Sequence, residues 1–262
     1  MRLRIILVLG LLWQISAAAS PIDIRIVSEG FDSNEEEILA VLTSTTRELT
    51  KHFPDYEMEP VVILRGSDGP ITLYERNVRG EIVVRLDTQK TYWSQYSYQW
   101  AHELCHILVG FQDDSRENKW FEESLCEVAS LYALRRMSES WENDPPYPHW
   151  KSYRQSLKQY VDQVMATRAD IELENLPDFY QKHRADLREK SNDRNLNGTL
   201  AKTLLPLFEK DPSRWEAIRY LNVTPARKDL SLRAYFSKWH HDAPELHRPF
   251  IRELGVLFGL DR

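Results

Sequence analysis

The sequence predicts an α+β fold, in which a small mixed β-sheet is followed by a mostly helical region. Short stretches rich in β-branched residues and bounded by turn residues are confined to the first third of the chain. From about residue 94 onward, apolar residues recur every three or four positions, which is the helical period. Hydrophobic residues make up 42% and charged residues 28% of the 262 positions, a composition typical of a soluble globular protein with a sizeable core.

The first twenty residues differ from everything that follows. Arg2 and Arg4 precede an apolar run, and three alanines, the last of them Ala19, precede Ser20. This pattern is typical of a secretory signal peptide cleaved before Ser20, and the run is too short to cross a bilayer comfortably. We therefore expect residues 1–19 to be removed from an exported protein, periplasmic or secreted, with an uncleaved membrane anchor as the alternative. No later stretch is apolar for long enough to span a membrane, so we expect no stable membrane insertion after cleavage.

Strands are predicted at residues 22–28, 61–66, 71–77 and 81–86. A helix is predicted at residues 33–53, because Ser33 and Glu36 form the pattern of a capping box at its start. The last two strands are expected to form a hairpin with its turn near Gly80. The first part of the chain is therefore expected to be a small mixed sheet with one helix.

The rest of the chain is predicted to be helical. Helices are expected at about residues 94–109, 119–138, 148–167, 177–190, 196–221 and 230–259. A loop rich in proline, ENDPPYPHW, follows Trp141 and predicts a boundary between an αβ lobe, residues 20–141, and a helical lobe, residues 142–262.

The stretch WAHELCHILVG, in the first of these helices, carries an HExxH motif. His102 and His106 lie four positions apart, so both imidazoles point the same way and can bind one metal ion at roughly 2.0 to 2.1 Å. Glu103 lies roughly 100° around the helix from His102, so it borders the ion and can accept a proton from water there. Gly110 lies just past the expected end of the helix, a position where glycine is favoured. We expect one Zn²⁺ per chain.

A third ligand is expected in WFEESLCEVAS, which opens the next helix. Glu123 follows His106 after sixteen intervening residues, enough for a turn and for a helix that crosses back over the first. Glu127 is one helical turn further on, where its carboxylate could accept a hydrogen bond from the far nitrogen of His102. Cys105 and Cys126 lie on the same two helices. In an oxidising compartment they could form a disulfide that clamps the site, or they could be two small buried thiols.

WAHELCHILVG followed by WFEES resembles the HExxH motif and downstream glutamate of the gluzincin metallopeptidases, a peptidase MA-like group. The residues are most similar to the HELAHQWFG and WLNEGFA segments of the M1 aminopeptidase type, and the similarity covers about thirty residues. The resemblance implies that His102, His106 and Glu123 bind zinc and that Glu103 is the general base. It also implies a site between an αβ lobe and a helical lobe, and an edge strand that aligns the substrate backbone. The matching strand is predicted at residues 81–86.

The resembling family also stabilises the oxyanion with a tyrosine in a Y-x-x-G context. Asn195 stands at the tyrosine position, three residues before Gly198. Other candidate donors lie in the helical lobe: Tyr220, Tyr235, His240, His241 and His247. The exopeptidase motif of the family is not recognisable in this chain, so the choice between endopeptidase and exopeptidase stays open.

These features predict an exported zinc peptidase that acts on a peptide or protein substrate. A net charge of -6 with no basic block argues against a nucleic-acid partner, and the oligomeric state is left open. One alternative is a non-catalytic exported module that binds peptide or cell-wall material and keeps the peptidase fold. A second alternative is a helical interaction protein in which both motifs are accidental, which predicts that Glu123 lies far from both histidines.

Overall fold

The structure is a computed structural model that describes residues 23–53, 55–112, 117–224 and 230–260. The predicted signal peptide, residues 1–19, lies outside these ranges. Within them the chain forms four strands and eight α-helices, so the predicted α+β fold with a mostly helical second part is confirmed. None of the described helices is both long enough and apolar enough to cross a membrane.

The sheet is mixed and places its shortest strand at one edge. Its strands are β1 (Ile24–Ile26), β2 (Val61–Arg65), β3 (Ile71–Thr72) and β4 (Ile82–Leu86). Their order is β1-β2-β4-β3, with β3 antiparallel to β4 and the other neighbours parallel. The predicted hairpin turn is found at Gly80, whose φ of 78° suits glycine. Because β3 folds back along the outer side of β4, the prediction that residues 81–86 form the edge strand is wrong.

The eight helices follow the predicted order, with proline residues dividing two of the predicted segments. Their bounds are α1 (Glu35–Thr50), α2 (Trp93–Leu108), α3 (Lys119–Ser140), α4 (Arg154–Ala166), α5 (Leu176–Glu189), α6 (Arg194–Lys210), α7 (Leu232–Asp242) and α8 (Arg248–Leu257). Asp211 before Pro212 and Ala243 before Pro244 have non-helical backbone, which breaks the helices predicted at residues 196–221 and 230–259. Short 3₁₀ segments fill Pro148–Tyr153, Leu173–Asn175 and Pro212–Tyr220.

Helix α1 begins one residue later than the capping box predicts. Asn34 is the N-cap, and its side-chain oxygen accepts hydrogen bonds from the backbone N–H groups of Glu36 and Glu37. The side chain of Ser33 makes no hydrogen bond within the described part of the chain. An asparagine caps a helix as well as a serine does. The predicted helix is therefore present, and only its first residue differs from the prediction.

Helix α3 lies at the centre of the molecule. It is buried over most of its length, and it packs against α2, α4 and α6. Helix α2 in turn packs on α1, where the indole N–H of Trp100 donates to Thr46 Oγ at 2.8 Å. Buried residues from both sides of residue 141 belong to one hydrophobic cluster. The division into lobes at that residue stays a prediction.

The end of α2 is fixed by a Schellman motif. The N–H of Phe111 donates to the carbonyl of His106, and the N–H of Gly110 donates to that of Ile107. Gly110 takes the left-handed conformation that this motif requires, with φ of 73°. His106 therefore lies in the last turn of α2, directly before the chain turns towards α3.

Candidate metal centre

Helices α2 and α3 bring the three predicted ligands together. Nε2 of His102 lies 3.3 Å from Oε2 of Glu123, and Nε2 of His106 lies 3.7 Å from the same oxygen. The three side chains are only 12 to 15% exposed. The exposed part faces a cavity that all three line. Glu123 thus lies beside both histidines, contrary to what accidental motifs predict.

The donor set fits a zinc ion. Zinc held by nitrogen and oxygen ligands at 2.0 to 2.1 Å in tetrahedral geometry places neighbouring donor atoms about 3.4 Å apart. The two separations from Glu123 Oε2, 3.3 and 3.7 Å, are close to this value. Two imidazoles and one carboxylate with a side open to a cavity are also the ligands typical of a catalytic site.

Cys126 is a second candidate for the third ligand. Its sulfur lies within 4.8 Å of donor atoms of both histidines. The residue is fully buried, however, and it does not line the cavity, whereas Glu123 does. Burial, together with a hydrogen bond to Cys105, raises the pKa of the Cys126 thiol well above its usual range, and zinc binds the thiolate form. Glu123 is therefore the better candidate for the third position.

The two cysteines are neighbours without being bonded. Both Cys105 and Cys126 are buried free thiols. The predicted disulfide is therefore not formed in this structure, and the alternative of two small buried thiols describes them. They pack α2 against α3 directly beneath the ligands.

Glu103 is held next to the ligands by the edge strand. Its carboxylate lines the cavity although the residue is only 3% exposed. Oε2 accepts a hydrogen bond of 2.7 Å from the hydroxyl of Thr72 in β3. The sheet therefore fixes the orientation of the predicted base. Thr72 was not predicted as a site residue, since a threonine in a strand carries no signal of such a contact.

A chain of buried hydrogen bonds supports His106 from behind. Nδ1 of His106 lies 2.7 Å from Oε1 of Glu122, and Oε2 of Glu122 accepts from the amide of Asn222 at 2.8 Å. The other end of that amide accepts from the hydroxyl of Tyr235 at 3.0 Å. A carboxylate on Nδ1 keeps the proton there and leaves Nε2 free to bind a metal. Glu122 and Asn222 were both missed by sequence reasoning, although Glu122 directly precedes the third ligand.

The carboxylates around the histidines favour positive charge. Burial alone would lower the pKa of His106, but the hydrogen bond to Glu122 and the nearby carboxylate of Glu123 raise that pKa well above its usual value. Burial would raise the pKa of Glu123, but the hydrogen bond with His102 and the nearby imidazole of His106 lower it well below the usual range. The cluster thus stabilises a cation, which can be imidazolium protons or a metal ion.

Glu127 was predicted to support His102, but its hydrogen bond is made elsewhere. Its carboxylate accepts from the hydroxyl of Tyr98, which lies one turn before His102 on α2. Burial, followed by the charge of Glu127, raises the pKa of Tyr98 well above its usual value. The prediction for Glu127 is therefore corrected: its carboxylate orients Tyr98, which lines the cavity.

None of the predicted oxyanion donors lines this cavity in the described part of the chain. Asn195 accepts a hydrogen bond from Arg168, Tyr220 stacks on His247, and Tyr235 donates to Asn222. His240 and His241 do not line the cavity either. Their position relative to the ligands could not be predicted from the sequence, because α2 ends at Leu108 and these residues lie on much later segments of the chain, from Asn195 onward.

Three other tyrosines do line the cavity, namely Tyr74, Tyr98 and Tyr160. The cavity has a volume of about 500 Å³, within the usual range for a ligand site. One side is formed by β3 and the loop before it, and another by the end of α4 and the start of α6. Phenol groups are thus available near the ligands.

Comparison of the chain with protein-family models, with curated proteins and with solved structures found no match. Its function is therefore inferred from the geometry and chemistry of this site.

Proposed function

We propose that the protein is an exported, zinc-dependent peptidase. The observation that carries this proposal is the convergence of His102, His106 and Glu123 on one point of a cavity wall, with Glu103 beside them. The resemblance of HELCH and WFEES to the gluzincin motifs supports the same assignment of roles.

His102, His106 and Glu123 would hold one zinc ion per chain. A zinc ion in such a site lowers the pKa of water to about 7 and polarises a carbonyl group. Glu122 supports this role by accepting the Nδ1 hydrogen of His106, which directs the lone pair of Nε2 towards the cavity.

Glu103 would act as the general base. Its carboxylate would accept a proton from the attacking water as the oxygen bonds to the scissile carbonyl carbon. It would then give that proton to the nitrogen as the C–N bond breaks, so that an amine leaves. The hydrogen bond from Thr72 keeps the carboxylate turned towards the cavity.

The edge strand supports a peptide as the substrate. The N–H of Leu73 donates to the carbonyl of Val83, so this pair and Ile71 with Arg85 are the hydrogen-bonded pairs of the ladder. The N–H and C=O of Thr72 therefore project away from β4. An extended peptide can pair with them, and its backbone would then lie beside Glu103.

Zinc analysis of the purified mature protein tests the site. We expect about one zinc per chain in the wild type and loss of zinc in Glu123→Ala. Glu139→Ala is the matched control, since Glu139 lies on the same helix but is 61% exposed. Zinc retained in Glu123→Ala would contradict the ligand assignment, and wild-type protein without zinc would contradict the proposed function.

Hydrolysis of a mixed peptide library tests the reaction. We expect Glu103→Gln to keep its zinc and to lose activity by about 10²- to 10⁴-fold, as for removal of a general base. Unchanged hydrolysis in that variant would exclude the mechanism. A non-catalytic binding module predicts that the wild type binds peptides and cleaves none.

We propose Tyr74 as the oxyanion donor. Its hydroxyl accepts a hydrogen bond of 2.8 Å from Lys119 and keeps its own hydrogen to donate. Its ring stacks on Phe111 at the rim of the cavity, with centroids 5.8 Å apart. We expect Tyr74→Phe to lower kcat about 10²- to 10³-fold with little change in zinc content. Tyr160→Phe is the control, and an equal loss in both variants would argue against Tyr74.

A further inference from the structure

Two arginines line the same cavity as the candidate ligands. Arg168 lies in the loop after α4, and Arg194 is the first residue of α6. Neither takes part in the metal cluster or in the reaction proposed above. Their position raises the question of what negatively charged group they would meet.

Arg168 occupies a place that the backbone leaves open for it. A Cβ atom at Gly198 would lie 2.2 Å from Nε and 2.8 Å from Cδ of Arg168, so any other residue at position 198 would displace the side chain. One guanidinium nitrogen donates to Asn195 at 3.1 Å, and the backbone carbonyl accepts from Lys202. Gly198 and Asn195, which sequence reasoning had associated with the oxyanion, thus hold this arginine in place.

The two guanidinium groups have unused hydrogen-bonding capacity. Nε of Arg168 is buried and has no hydrogen-bond partner among the described residues. The side chain of Arg194 reaches to the loop before β3, where a Cβ atom added at Gly69 would lie 3.8 Å from one terminal guanidinium nitrogen of Arg194. Because Nε packs on Gly198, a ligand carboxylate in the cavity would be bound by the terminal nitrogens of the guanidinium groups.

Neither arginine is paired with a carboxylate of the described chain, which sets both apart from most others. Carboxylate partners are found for Arg25, Arg65, Arg76, Arg135, Arg136, Arg154, Arg188, Arg214, Arg219 and Arg248. A guanidinium that has no carboxylate partner in the protein can pair with a carboxylate of a ligand in the cavity.

The arginines border the tyrosines rather than the histidines. Glu127 and, more weakly, Arg168 act on Tyr98 by their charges, and Glu127 and Arg194 act in the same way on Tyr160. The rings of Tyr98 and Tyr160 meet edge to face, with centroids 5.6 Å apart. The two guanidinium groups therefore lie on the side of the cavity lined by Tyr98 and Tyr160, where the carboxylate of Glu127 is engaged by Tyr98.

We propose that Arg168 and Arg194 form a carboxylate-binding subsite, which selects peptides that carry a carboxylate at this point of the cavity. The carboxylate is either the C-terminal group of the peptide or an acidic side chain. A guanidinium presents a planar fork of N–H donors that matches a carboxylate. The inference rests on the proposed function, since it names the substrate class of the same cavity.

The test measures peptide binding by isothermal titration calorimetry on zinc-treated, full-length mature Glu103→Gln protein. The probes are an acetylated hexapeptide of alanine, leucine and phenylalanine as the free acid and as the C-terminal amide. Further amides carry glutamate or glutamine at each of the last four positions. We expect a carboxylate form to bind about 10- to 100-fold more tightly than its neutral counterpart, as for a charge-assisted hydrogen bond.

Added to this background, Arg168→Gln and Arg194→Gln should each remove most of that preference and leave the affinity for the neutral amide within about twofold. Arg184→Gln is the matched control, because Arg184 is exposed on α5 and does not line the cavity. Arg194 is exposed at the start of α6, so its substitution tests the subsite even where loss of Arg168 disturbs folding.

The outcomes separate the two sources of the carboxylate. Preference for the free acid alone identifies the C-terminal group, and preference for glutamate-containing amides identifies a side chain. The inference is overturned if acid and neutral forms bind equally, if no peptide binds measurably, or if Arg194→Gln weakens both forms alike. Failure of the proposed function is seen separately, as wild-type protein without zinc or hydrolysis.

Discussion

His102 and His106 lie one turn apart on α2, yet their surroundings differ. His106 is backed by Glu122, which is linked through Asn222 to Tyr235 on α7, and all of these partners are buried. His102 contacts Glu123 at 3.3 Å, and the nearby carboxylate of Glu127 is engaged by Tyr98.

The difference indicates which histidine fixes the position of the metal. Glu122 on α3, supported by Asn222 and by Tyr235 on α7, holds the ring of His106 in one orientation. His102 instead borders the tyrosines and the open cavity. Substitutions behind His106 should therefore change metal affinity and stability more than those beside His102.

The largest expected effect is that of Glu122→Ala. Loss of the carboxylate removes the group that orients His106, so we expect zinc affinity to fall about 10- to 100-fold. Competition with a chromophoric chelator measures this change. A similar loss in Glu127→Ala would remove the distinction between the two histidines.

Asn222→Ala should mainly lower the stability of the protein, with a smaller effect on activity. The substitution removes two buried hydrogen bonds, so we expect the free energy of unfolding to fall by about 1–3 kcal/mol. Urea denaturation of the metal-free protein measures it. Asn143→Ala, at an exposed position, is the control and should differ from the wild type by less than about 0.5 kcal/mol. Equal stability of the two variants would contradict a structural role for Asn222.

Zinc affinity should fall as the pH is lowered from 8 to 6. The metal-free protein has raised pKa values at both histidines, so zinc must displace protons that are bound below those values. We expect a loss of roughly tenfold per pH unit for each proton displaced. Glu122→Ala should reduce this dependence, because the pKa of His106 then moves back towards its usual value. Chelator competition at pH 6, 7 and 8 checks both statements.

The smallest effect is expected for Glu127→Gln. Its hydrogen bond is with Tyr98, so zinc affinity should change by less than about threefold. A loss of tenfold or more would mean that Glu127 supports His102 directly, as the sequence had predicted.

Much of the fold could be predicted from local pattern. Helical periodicity located α2 and α3, and the turn at Gly80 located the β3–β4 hairpin. Strand order could not be predicted in this way, because nothing local tells β4 from an edge strand. The long predicted helices were divided by Pro212 and Pro244, which act through the backbone of the preceding residue.

The sequence by itself determined the identity of the candidate ligands. The spacing of His102 and His106 is a property of one helix, and Glu123 opens the next helix after a short connection. Only the tertiary structure decided the groups around them, such as Asn222 behind His106 and Arg168 against Gly198. These contacts join residues far apart in the chain, so they depend on how the helices pack, and helical periodicity does not encode packing.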